Sequence, residues 1–139
     1  MDEDFDERLL ARTSTHGERV RGLLAMGIHA EELASATNAA VSTLRNWSAG
    51  QSEPRLAAAV VLDNLRTTAT VLLKEFEPAR AARWMTSRDP ERFDGLRPLD
   101  YIAVDPLDVL AAAHGDVEDE RLRQEQTQHR ARHKRLVAV

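Results

Sequence analysis

One long apolar stripe constrains this chain more than any other feature. Ala58, Leu62, Leu65, Ala69, Leu72 and Phe76 follow one another at spacings of 4, 3, 4, 3 and 4. Only an α-helix returns residues so spaced to one side, because about 3.6 residues complete a turn. The stripe covers about five turns. Ser52-Glu53-Pro54 precedes it, combining a capping side chain, an acid and a first-turn proline. Pro78 interrupts it. A helix with such a stripe is either the centre of a single core, or it couples two halves or pairs two protomers. The spacing alone is compatible with each.

Composition extends the helical reading to the rest of the chain. Apolar residues make up 42% of the 139 positions but aromatics only 4%, so Ala, Leu and Val must do most of the packing. That suits closely approaching helices better than sheets, which favour β-branched and aromatic residues. The expected class is all-α. Val20, Leu23 and Leu24 share one face of a helix over Glu18–Met26 that Gly27 stops. A short helix over Ala30–Thr37 begins with Glu31 and Glu32, where the helix dipole favours acids. A third, over Ala40–Ala49, turns Val41, Leu44 and Trp47 inward, and Gly50 closes it. Beyond Pro78 the pattern gives a helix over Ala79–Met85 and a breaker-rich stretch with Asp89-Pro90 and Gly95-Leu96-Arg97-Pro98. A short helix around Leu99–Ile102 follows, then a last core helix from Asp105-Pro106 to His114-Gly115. The expected segments are an acidic arm or short helix (1–17), a helix pair (18–53), a long connecting or dimerising helix (54–78), a small helical domain (79–115) and a charged tail (116–139), the tail being a solvated helix or partly disordered.

Several chemistries are excluded on composition. The chain has no cysteine, hence no disulfide, thiolate metal site or thiol nucleophile. It has no run of about 20 apolar residues to span a membrane, and the acidic start differs from the positive n-region of a secretory signal. The expected compartment is the cytoplasm. His129 and His133 stand four apart but lack a third ligand and sit among Arg and Lys, so no metal is expected. Acidic neighbours such as Glu31/Glu32 and Asp116/Glu118/Asp119 lie where solvation, not acid–base chemistry, is the expected state. There is no Gly-rich phosphate loop. The chain therefore reads as a non-enzyme with no catalytic residue and no cofactor.

Net charge is −4, but its distribution is uneven: five acids in residues 1–7 and four bases in residues 129–139. The basic end has three readings, as a solvated tail, an arm on the DNA backbone or a segment reaching a partner. Its apolar finish, Leu136-Val137-Ala138-Val139, favours some contact.

The segment from Ile28 to Arg55 has the grammar of a helix-turn-helix. Ala34 is small where the second helix must approach, Asn38 accepts left-handed geometry, and Leu44 and Trp47 supply the buried side. With Glu32-Leu33-Ala34, Asn38 and Trp47-Ser48-Ala49-Gly50, it resembles the Xre/Cro-type helix-turn-helix family. It departs from that family in having His29 and Ala40 where Ser or Thr caps are usual. Residues 18–66 hold five bases against five acids, a thin electrostatic footprint. The resemblance implies DNA contact by Val41, Ser42, Arg45 and Asn46. Val41 would make apolar contact, Asn46 would address adenine, and Arg45 guanine or phosphate. Arg55 is placed for a phosphate.

Trp84-Met85, Gly95-x-x-Pro98-Leu99-Asp100 and the helix closing at Gly115 are similar to the toxin-binding domain of ParS/MbcA/Xre-type antitoxins, with Met85 in place of Leu. The two resemblances together imply the antitoxin of a type II toxin–antitoxin pair. Its partners would be a RES-domain, NAD-degrading toxin and its own operator DNA, in a homodimer or a hetero-oligomer with toxin. Trp84, Phe93, Arg97, Asp100 and Tyr101 would form the toxin-facing surface around the Gly-Pro corner. The alternative is a stand-alone transcriptional regulator whose C-terminal half only dimerises.

Overall fold

A computed structural model describes residues 5–137. They form seven α-helices, with no strand among the described residues: α1 (His16–Met26), α2 (Ala30–Ala36), α3 (Val41–Ser48), α4 (Leu56–Leu72), α5 (Pro78–Thr86), α6 (Pro98–Tyr101) and α7 (Pro106–Val137). Short 3-10 turns at Glu7–Leu10 and Phe93–Gly95 complete the order. The protein is all-α, as composition and periodicity indicate.

The stripe on α4 is the centre of the core. Leu62, Leu65, Ala69 and Leu72 are fully buried, and Ala58 and Phe76 nearly so. The helix packs against α1, α5, α7 and the N-terminal 3-10 turn. A second protomer has no access to residues so enclosed, so the stripe is not a dimer seam. The apolar core runs without a break from Leu10 to Val117. Segments divided at 53 and 78 in sequence therefore meet in one packed interior.

Helix α4 starts at Leu56 with Arg55 at its N-cap and no capping side chain, so Ser52 does not cap it and Pro54 lies outside its first turn. The ends of α1 do follow local chemistry. The Thr15 side chain accepts from the Glu18 N–H while Glu18 accepts from the Thr15 N–H, and this reciprocal cap starts α1 at His16. The expected boundary at residue 17 thus falls inside a helix. The 3-10 turn before it is no free arm: Leu10 is buried, and the Leu10 carbonyl accepts from Arg66 and Thr70 of α4. Gly27, at φ 125°, ends α1, and its N–H reaches back to the Leu23 and Leu24 carbonyls.

The other correction lies at Gly115. It was the expected end of the last core helix, with a tail beginning at Asp116, yet α7 runs through it to Val137. An exposed glycine inside a helix costs only about 1 kcal/mol relative to Ala. Burial of Val109, Ala113, Val117 and Glu120 on one side of α7 carries the helix across it. Residues 116–120 are part of the folded body, and beyond Glu120 every described residue is exposed.

The glycines give opposite expectations. A Cβ on Gly17 would lie 2.5 Å from the Trp47 carbonyl oxygen, where α1 meets the end of α3. Gly17→Ala is expected to lower stability by about 1–3 kcal/mol. A Cβ on Gly115 meets nothing within 4 Å, so Gly115→Ala is expected to raise stability by about 0.5–1 kcal/mol. Urea denaturation of the two variants checks both signs.

Candidate functional site

Two surfaces stand out, on opposite sides of the sequence. The first is the outer face of α3. Helices α2 and α3 are joined by a tight turn in which Asn38 takes φ 56°, the left-handed geometry expected of it. Thr37 is buried beside it, its hydroxyl donating to the Leu33 and Ala34 carbonyls. Leu44 and Trp47 anchor α3 in the core. The opposite face carries Ser42, Arg45 and Asn46, all exposed, while Val41 is half-buried against the core. Arg55, exposed, precedes α4. Neither Arg45 nor Arg55 has an acidic partner among the described residues, whereas Arg19, Arg66 and Arg97 are all paired. All five sequence-selected residues thus remain accessible in whole or part. Neither His29 nor Ala40 caps its helix with a side-chain bond, although Glu32 accepts from the His29 N–H. The first-turn amides of α3 therefore remain open to an acceptor from outside.

The second surface lies around Trp84. Phe93 sits between Trp84 and Tyr101, with ring centroids 6.3 Å and 5.4 Å away. Phe93 and Asp94 hold positive φ, which folds the chain tightly before Gly95. Three of the five residues assigned to the partner surface are therefore brought together as one aromatic row. Phe93 itself is buried, so Trp84 and Tyr101, each half-buried, are its accessible ends. Arg97 and Asp100 have a different place. Arg97 donates to Asp100 at 2.7 and 3.2 Å and to Glu32 of α2 at 3.1 Å. They form a strut tying the C-terminal half to the helix-turn-helix, with their charges largely satisfied by one another.

Sequence reasoning missed the cleft that opens beside Trp84. Its volume is about 420 Å³, and Arg80, Arg83, Arg88 and Arg92 line it together with Phe76, Trp84 and Phe93. Asp89 and Asp116 also line it. Asp116 is committed: it accepts from Arg92 at 2.8 Å through both oxygens and from the Trp84 indole N–H at 2.7 Å. Arg80 lies 4.4 Å over the Phe76 ring and pairs with Glu120. Arg83 and Arg88 have no acidic partner among the described residues; Arg88 donates to the Gly95 carbonyl. The cleft is thus aromatic-walled and cationic, suited to an acidic or carboxylate-bearing segment. The one available signal was the density of arginines after Pro78; Asp116, which fixes Arg92 among them, lies 24 residues beyond it.

Comparison with known proteins yields no match from any family model, curated protein or solved structure. Among the described residues no group of three or more His, Cys, Asp or Glu could hold a metal, and no helix is long and apolar enough to cross a membrane.

The Arg92 hydrogen bonds hold the Asp116 carboxyl below its ordinary range, against the opposing effect of burial and with help from Trp84. A carboxyl lowered in the folded state stabilises above its unfolded pKa, and that contribution is lost as pH falls through the folded value. Asp116→Asn keeps an acceptor for Trp84 but removes the ion pair. It is expected to cost about 1–2 kcal/mol at neutral pH. The gap from the parent protein should close below about pH 4, as followed by urea denaturation across pH.

Proposed function

We propose that this chain is a DNA-binding antitoxin. It would bind and silence a RES-domain, NAD-degrading toxin and repress its own operon. The observation that carries the DNA half is the outer face of α3, where Arg45 and Asn46 are exposed with Arg45 unpaired among the described residues, on a helix fixed from behind by Leu44 and Trp47. A helix so mounted can enter the major groove, with its side chains at base edges. The thin positive charge around it argues for an affinity that rests on pairing two such faces as much as on phosphate contacts.

The toxin half is supported by the antitoxin-like pattern from Trp84 to Gly115 and by the cationic cleft beside Trp84. The partner would present acidic or carboxylate-bearing side chains to Arg83 and Arg88, with Trp84 and Tyr101 supplying apolar area. Arg97 and Asp100 would act by holding the two halves in place.

The test is co-expression with the product of the adjoining gene. A tagged neighbour should co-purify with this chain, and its consumption of NAD should fall when the chain is present. Arg83→Glu with Arg88→Glu should abolish capture while leaving operator binding intact. Arg45→Ala with Asn46→Ala should do the reverse, weakening operator binding by about 1–3 kcal/mol. An unaltered operator affinity would remove α3 as the reading face. Failure of the neighbour to bind would remove the toxin assignment.

A further inference from the structure

Beyond Glu120 the last helix leaves the body, and about 17 residues of it, some 25 Å, stand in solvent. Its outward side is not uniformly polar. Leu122, Gln126, His129, His133 and Leu136 recur at spacings of 4, 3, 4 and 3, a heptad seam, with Leu122 43% and Leu136 77% exposed. At about 100° per residue, this seam lies on the opposite side of α7 from Val109, Ala113, Val117 and Glu120, which face the body. Upstream the same outward side shows Leu107, Ala111 and Gly115, with Asp119 in the seam position before Leu122; all are exposed, and Ala111 and Gly115 are small enough for close approach. A second helix can therefore lie along α7 without meeting the rest of the protein.

We propose that the occupant is the α7 of a second copy of this chain, paired parallel and in register. The charges beside the seam carry the choice. In a parallel pair, each flanking residue before the seam meets the one five positions on in the partner. Glu118 then faces the second copy's Arg123, and Glu125 its Arg130, each twice by symmetry. Arg130 has no ion pair within its own chain among the described residues and is free for this role, whereas Glu118 and Glu125 would be shared with Arg121, and Arg123 with Glu120, of their own helix. An antiparallel pair would instead set Arg123 against Arg130 and Glu125 against Arg132, one repulsive and one attractive contact where the parallel pair makes two attractive ones. The polar layers at Gln126, His129 and His133 fix register at the expense of affinity, so the dimer is expected to be of moderate strength. This inference is independent of the DNA and toxin assignments.

Sedimentation equilibrium of the full chain tests it. The expected mass is twice the 15.6 kDa of one chain at tens of micromolar. Glu125→Arg should weaken the dimer about tenfold, and adding Arg130→Glu should restore it; helix content is expected to stay constant throughout. Because the chain has no cysteine, Leu136→Cys reports orientation: oxidation should link two copies through that position. A monomer at these concentrations would overturn the proposal. So would a dimer indifferent to the charge swap, or one that crosslinks only between Leu122→Cys of one copy and Leu136→Cys of another.

Discussion

Everything in this fold depends on the burial of one face of α4. Leu62, Leu65, Ala69 and Leu72 receive α1 and the N-terminal turn, α5, and the body-facing side of α7. Each of the three leucines contributes about 1.5–3 kcal/mol on leaving water, more than any surface ion pair in the molecule can supply. The helix-turn-helix does not stand on its own helices, which at seven and eight residues are too short to persist alone. It is held from behind by α1, which itself leans on α4. The aromatic cleft depends on the same helix, because α7 must pack on α4 before Asp116 can meet Arg92 and Trp84.

The two surfaces are therefore two outlets of one interior. Arg97 makes the link explicit, joining Asp100 beside the cleft to Glu32 at the start of α2. A partner that pulls on the Arg97–Asp100 pair would alter a strut bearing on α2, the helix before α3. In the proposed antitoxin this gives toxin occupancy a physical route to operator affinity. In the proposed dimer, α7 adds a third outlet on the side of the helix turned away from α4.

Much of the fold was legible because its signals are local. Gly27 as a stop, Asn38 as a left-handed turn, Leu44 and Trp47 as anchors and the stripe on α4 each follow from neighbouring residues. What was not legible depended on distant partners. Gly115 resembles a helix end until Val117 and Glu120 are seen to pack. Phe93, Trp84 and Tyr101 were placed together by a Gly-Pro corner, but Arg97 and Asp100 beside them turned out to face each other and Glu32. The arginines of the cleft were not singled out in the sequence, because nothing near them announces Asp116. The α4 stripe fitted a core helix and a dimer seam equally well, and only the neighbours that bury it decide for the core.

The central claim is that the helix-turn-helix and the cleft share one cooperative core. The chain has two tryptophans, Trp47 on the buried face of α3 and Trp84 at the cleft. With both replaced by 5-fluorotryptophan, 19F NMR follows the two sites in one sample through a urea titration. With one cooperative core the two folded resonances vanish together, with one midpoint and one slope. Separate midpoints for Trp47 and Trp84 would contradict it, making the halves independent domains joined by α4.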